Sequence, residues 1–250
     1  MAATLLLIAI AAASMLLVVG PLSTVARRYV NELRLEAGID HAPSAGMLPD
    51  MTDGDETSIR FPALLERLPQ ACLALVVIGL TTTWGVINQA TAATVVAVPL
   101  MAVLCVACTV DAVCHRLPNI LLLCAGAWIV GATLMLLIVD LATGASLEAA
   151  VWPGLRAILC TISMVAALTV TAMLPSGLGI GDVKLWAVLG LWLGRFALWV
   201  PVAGLLLGFF AGGLAAIVFI ALRRVGRKDR MAFGPYLVAG AWLSWALAIV

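Results

Sequence analysis

Eight apolar runs, each close to the length that crosses a bilayer, constrain this chain more than any other feature. About 20 residues of helix cross the roughly 30 Å of a hydrocarbon core. The runs lie near Ala3 to Leu22, Ala71 to Asn88, Thr91 to Val110, Asn119 to Val139, Ala149 to Leu174, Val183 to Ala197, Leu198 to Leu222 and Ala232 to Val250. Backbone N–H and C=O groups in lipid must be paired within the protein, which a helix does for itself. The expectation is therefore an all-α, polytopic integral membrane protein with about eight transmembrane helices and one larger cytoplasmic loop. Charged residues make up 11% of the 250 positions and mean hydropathy is +1.16, against about 25% charged in a soluble domain. The lipid bilayer is the first partner. The net charge of +1 says nothing about others, and no nucleic acid is expected. The weakest boundaries are Asn88 with Gln89 and Gly194 with Arg195.

Sorting of the basic residues sets the orientation. A secretory signal carries positive charge before its apolar stretch, whereas Arg27 and Arg28 follow the first run, so that run reads as an uncleaved anchor with its N-terminus outside. Four connections then face the cytoplasm: Ser23 to Gln70, Asp111 to Pro118, Pro175 to Asp182, and Arg223 to Met231. Twelve of the fourteen basic residues fall in or beside them, leaving Arg156 and Arg195 as the exceptions to a positive-inside pattern. The chain divides into an anchor (1–22), a cytoplasmic loop without cysteines (23–70) and a membrane-embedded domain (71–250).

The loop from Ser23 to Gln70 holds eight of the thirteen acids. A part near Val25 to Leu35 reads as an amphipathic helix, while Gly38 to Thr57 has no apolar periodicity and is rich in Asp, Gly, Pro, Ser and Thr. The loop is either a solvated connector or an acidic surface that attracts a basic ligand. The six cysteines all lie within or beside the apolar runs. Cys105 and Cys108 form a C-x-x-C without a second pair, so a zinc site would lack ligands and a small apolar helix face is expected; no metal or other cofactor is implied.

Outside the loop the acids are Asp111, Asp140, Glu148, Asp182 and Asp229. Asp140 and Glu148 belong to an outer connection, and Asp229 lies among Arg227, Lys228 and Arg230. Asp111 and Asp182 remain, both at the inner membrane edge, where an ionisable group suggests function. Two carboxylates that meet in a partly dehydrated site share a proton, the working state of an aspartic protease. Taken singly, either can be a helix cap or loop residue. Gly177, Gly179 and Gly181 favour the functional reading, since glycines permit unusual backbone conformations and close approach of a peptide. Lys184 can hold Asp182 ionised, bind substrate, or simply mark a cytoplasmic helix end; His115 reads as a solvated loop residue.

Gly179-Ile180-Gly181-Asp182-Val183-Lys184 resembles the G-x-G-D-x-K signature of the type IV prepilin peptidases, membrane aspartic proteases of the GxGD type. Asp111 with Pro118 and Asn119 resembles that family's first-aspartate segment, and Phe233-Gly234-Pro235-Tyr236 its F-G-P-aromatic segment. The resemblance covers about Val95 to Val250, with a fainter echo at Gly20 to Val30. It implies an aspartic endopeptidase of the bacterial inner membrane that removes the short basic leader of prepilin or pseudopilin-like precursors at the cytoplasmic face, in type IV pilus assembly or protein secretion. Asp111 and Asp182 would be catalytic. Gly179, Gly181, Lys184, Pro118, Asn119, Phe233, Gly234 and Pro235 would support the site or bind substrate.

Longer members of that family carry two C-x-x-C pairs in the first cytoplasmic loop and also N-methylate the new N-terminus. This loop has no cysteine, which excludes zinc there and puts methyl transfer in doubt. Presenilin-like and signal-peptide-peptidase-like proteases share G-x-G-D but carry a P-A-L segment where this chain has Phe-Gly-Pro-Tyr. A proton- or cation-coupled transporter would use the same acids at broken helices, nearer the midplane.

Overall fold

The computed structural model describes residues 2–36, 62–173, 179–222 and 232–250, and every regular element in them is a helix. In chain order these are α1 (Ala2–Leu17), α2 (Ser23–Glu36), α3 (Arg67–Ile87), α4 (Thr91–Cys114), α5 (Asn119–Ala142), α6 (Leu147–Met173), α7 (Ile180–Leu193), α8 (Trp199–Ala221) and α9 (Gly234–Ala248), with a short 3₁₀ turn at Pro62–Leu65. Among the described residues six helical stretches are long and apolar enough to cross a membrane: Ala2–Leu33, α3, α4, α5, α6 and α8. The remaining two expected spans are α7 and α9, of 14 and 15 residues. Both are short, and both are enclosed largely by protein: Trp186 and Trp192 of α7 and Trp245 of α9 are fully buried.

The first span does not end at Leu22. Pro21 cannot donate a backbone hydrogen bond, and the helix passes it through a π-helical turn at Val18–Leu22. Ser23 Oγ donates to the carbonyls of Val19 and Gly20, and Thr24 Oγ1 donates to that of Gly20, so the helix continues into α2. The acids between positions 37 and 61, Gly177, and the basic run from 223 to 230 lie outside the described residues.

The chain is layered around α4. In its most apolar window 72% of the residues are buried, against 17–28% for the other five spans. The outer helices reverse the pattern of a soluble protein, as lipid-facing surfaces must: Leu123 and Ile138 on α5 and Phe210 and Ile217 on α8 are exposed. The breaks between adjoining spans fall where the sequence is weakest. Asn88 closes α3 by donating from Nδ2 to the Trp84 carbonyl, and Gln89 turns the chain with φ of 55°. Gly194 follows the last residue of α7.

Small residues let helices approach closely in lipid, where packing rather than the hydrophobic effect drives association. The clearest case is α8 against α9. A Cβ on Gly240 would lie 2.3 Å from the backbone N of Gly208 and 2.5 Å from the carbonyl O of Gly204. Gly240→Ala should therefore destabilise the protein by about 1–3 kcal/mol through overpacking. Gly213→Ala, where a Cβ meets nothing within 4 Å, should be neutral or stabilise the helix by up to about 1 kcal/mol. Thermal unfolding in detergent compares the two; equal behaviour would mean that the α8–α9 contact is not close.

Candidate functional site

Asp111 was expected in a loop beyond a span ending at Val110. Instead it sits in the last turn of α4, which runs on to Cys114, and it is only 5% exposed. The helix ends because His115 adopts the left-handed conformation, with φ of 52°. His115 directs Nδ1 toward the backbone carbonyl of Asp111, at 3.3 Å, so its ring faces the peptide group and not the carboxylate. Asp111 is therefore not a helix N-cap.

The carboxylate of Asp111 meets the start of α9. The backbone N–H of Gly234 donates to Oδ2 at 3.0 Å. This N–H belongs to the first turn of a helix, where donors lack intrahelical partners and the helix dipole favours negative charge. A Cβ at position 234 would lie 2.6 Å from the same oxygen, so glycine is required by closeness. Pro235 follows inside the first turn, where its missing N–H costs nothing. Phe233 precedes the helix and packs its ring against Phe209 and Tyr236. It anchors the turn, and no hydrogen bond joins it to the carboxylate.

Asp182 is the third residue of α7, and Gly179 is the N-cap. Its Oδ2 accepts the backbone N–H of Gly179 at 3.1 Å, while its own N–H donates to the Gly179 carbonyl at 3.1 Å. Asp182 precedes the apolar part of α7, outside the six spanning helices. Burial pushes its carboxyl above the ordinary value, and the Gly179 N–H pulls it partly back.

Gly179 and Gly181 do not adopt the unusual backbone conformations expected of them. Gly179 has φ of −85° and ψ of 153°, an extended conformation open to any residue, and Gly181 is already helical. A Cβ on Gly181 would make ordinary contact with Leu117, 3.6 Å from Cδ1. Gly179 is exposed and Gly181 half-buried, so what remains of the argument is an uncovered backbone beside Asp182.

Asp111 and Asp182, 71 positions apart in sequence (182 minus 111), lie within electrostatic reach of each other. The chain between α4 and α5 joins the same corner, since Leu117 packs against Gly181. Pro118 is buried as the residue that opens α5, and Asn119 Oδ1 accepts a hydrogen bond from Lys184 Nζ at 3.0 Å. Lys184 thus ties α7 to α5 rather than pairing with Asp182. One helical turn before Asp111 on α4 an apolar cavity of about 380 Å³ begins, lying between α3, α4 and α9 and lined by Leu73, Val77, Cys105, Cys108, Pro235 and Trp242 among others. The C-x-x-C is part of that wall.

Sequence reasoning missed two contacts. It named Gly234 only as part of a motif and did not foresee that its N–H holds Asp111, and it did not join Asn119 to Lys184. The available signal for the first was a glycine placed directly before Pro235 at a helix start.

Over 68 residues the chain is 43% identical to the prepilin leader peptidase/N-methyltransferase of Aeromonas salmonicida (strain A449) and to that of Aeromonas hydrophila. The match spans 27% of this chain and 22% of each relative's length. No family model and no solved structure matches the chain.

The Gly234 contact can be checked without any activity. With a water-soluble carbodiimide and an amine nucleophile, Asp182 should be modified faster than the more buried Asp111. Gly234→Ala should turn the Asp111 carboxylate outward and raise its modification relative to Asp182. Peptide mass spectrometry reads the ratio, and an unchanged ratio would show that position 234 does not hold the carboxylate.

Proposed function

We propose that this chain is a prepilin peptidase that cuts the basic leader from prepilin-like precursors with the carboxylate pair Asp111 and Asp182. The observation that carries the reading is the convergence of these two acids from α4 and α7: Leu117, just past Asp111, packs against Gly181 beside Asp182, at one corner of an apolar bundle. Two further findings support it. The chain is similar over 68 residues to proteins named prepilin leader peptidase/N-methyltransferase, and the corner of the two acids gathers the G-x-G-D, Pro-Asn and Phe-Gly-Pro segments.

In this reading the pair holds one proton between them. The ionised carboxylate takes a proton from a water molecule as the water oxygen attacks the scissile carbonyl carbon. The protonated partner gives its proton to the carbonyl oxygen, forming a neutral tetrahedral diol. Collapse of the diol breaks the C–N bond as the newly protonated carboxyl gives its proton to the leaving nitrogen and the ionised partner takes one from a diol hydroxyl, so the pair again holds one proton. The uncovered backbone at Gly179 and Gly181 gives the substrate peptide a place to lie beside Asp182. The cavity that shares Cys108 and Pro235 with the Asp111 corner accepts the apolar stretch that follows the cut.

The orientation inferred from the basic residues puts this corner at the cytoplasmic face, where a basic leader is retained by the same positive-inside rule. Methyl transfer, named for the relatives, is not extended to this chain, because its first loop lacks the cysteine pairs.

Co-expression with prepilin-like proteins, followed by N-terminal sequencing of the product, tests the reaction. Cleavage directly after a basic leader is expected. Asp111→Asn and Asp182→Asn should each lower the rate roughly 10²- to 10⁴-fold, the range of general acid–base contributions, with helix content and membrane insertion retained. The amide preserves shape and cannot cycle the proton. Wild-type cleavage by either variant would overturn the pair.

A further inference from the structure

Arg156 and Arg195 are the two basic residues that break the positive-inside pattern, and both lie at the end of the bundle opposite the aspartates. Arg156 is on α6, near its start, and its guanidinium reaches across to the C-terminal end of α7. Nε donates to the carbonyl of Gly194 at 2.9 Å, and Nη2 donates to the carbonyls of Arg195 and, at 2.8 Å, Phe196. These carbonyls belong to the turn that closes α7, just beyond its last residue Leu193, and a cation there also complements the helix dipole. The fit is close: a Cβ on Gly194 would lie 2.8 Å from Ala157 Cα and 2.9 Å from Cys160 Cβ. Arg195 in turn donates from Nη1 to Thr133 Oγ1 on α5 at 2.9 Å, with Asp140 in electrostatic reach.

Between its ends α7 has little to fix it lengthwise. Its interior is apolar, and the indole N–H groups of Trp186 and Trp192 are buried without hydrogen-bond partners. At its start the one side-chain hydrogen bond to another helix among the described residues is from Lys184 to Asn119, both exposed. Packing of apolar side chains permits small slides and rotations, and a slip of one residue moves a helical position by about 1.5 Å along the axis and 100° around it. Such a slip at the start of α7 would carry Asp182 away from Asp111.

We propose that Arg156 is a positioning residue: by clamping the carbonyls of Gly194, Arg195 and Phe196 it sets the depth and rotation of α7, and through that helix the place of Asp182 opposite Asp111. The twelve residue steps from Asp182 to Gly194 make a rod of about 18 Å, stiff enough to pass a displacement from one end to the other. The catalytic consequence rests on the dyad reading above, whereas the geometric one does not.

The test therefore has two arms. A Cβ on Gly181 would lie 3.8 Å from Leu117 Cβ, the mean separation for a disulfide, about 3.8 Å. Leu117→Cys with Gly181→Cys, in a chain whose six native cysteines are replaced by alanine, should cross-link readily in membranes. Adding Arg156→Lys, which keeps the charge but gathers its donors on one nitrogen in place of the separate Nε and Nη2 that reach these carbonyls, should abolish most of the cross-link, and Arg156→Gln should do the same. In the second arm Arg156→Lys with native residues at 117 and 181 should lower kcat about tenfold or more, as small misplacements far from the chemistry do, with KM and helix content unchanged. Undiminished cross-linking in Arg156→Lys membranes would overturn the proposal. If the parent protein cuts no prepilin-like substrate, the proposed function fails, and the cross-link still decides the role of Arg156.

Discussion

The rest of this structure depends on how a carboxylate is kept inside the end of its most enclosed helix. Asp111 is buried on α4, and an acid at membrane depth is costly unless polar groups answer it. The answer is the Gly234 N–H, one donor at the head of α9. That donor reaches the carboxylate only if α9 begins at the right height, and α9 is held there by the glycine contact between Gly240 and the Gly204–Gly208 stretch of α8. Phe233 adds a second hold, since a Cβ on Gly212 would sit 2.8 Å from its ring. Packing in the middle of the membrane thus sets a hydrogen bond at its edge.

The second acid is held by a different logic. Asp111 takes its hydrogen bond from a separate helix, so its position records tertiary packing. Asp182 takes its bond from Gly179, three residues earlier, and so its orientation is local while its location is that of α7 as a whole. A pair built this way can be tuned by moving one short helix without disturbing the other acid. This is why the tethers of α7, Lys184 to Asn119 at one end and Arg156 to three carbonyls at the other, matter more than their partial exposure suggests.

Much of the fold was legible because lipid imposes a simple demand. Each apolar run had to be a helix, and the breaks at Asn88–Gln89 and Gly194–Arg195 fell where small or polar residues interrupt the run. The errors arose where a helix continues through polar residues. Asp111 was assigned to a loop because hydropathy drops there, yet Ala112, Val113 and Cys114 keep the helix going until His115 ends it. Likewise Ser23 and Thr24 read as the start of a loop, while their hydroxyls instead serve the carbonyls beside Pro21 and carry the helix on. Side-chain hydrogen bonding to the backbone can stop a helix or sustain it, and sequence alone does not say which.

The candidate site was legible in its residue types and much less so in its causes. Gly179 and Gly181 were singled out for backbone freedom, but neither has a positive φ, and the glycine that the site cannot lose is Gly234, whose Cβ would collide with the Asp111 carboxylate. A motif reports that glycine is used; only the neighbouring atoms report why. The same holds for Arg156 and Arg195. Charge sorting marked them as exceptions on the outer side, and an exception to a topological rule needs a local reason strong enough to offset it. Three carbonyls in the turn after a short helix supply that reason for Arg156, and the Thr133 hydroxyl supplies it for Arg195. The residues that departed from the orientation pattern are therefore the ones that hold α7 at the end away from Asp182.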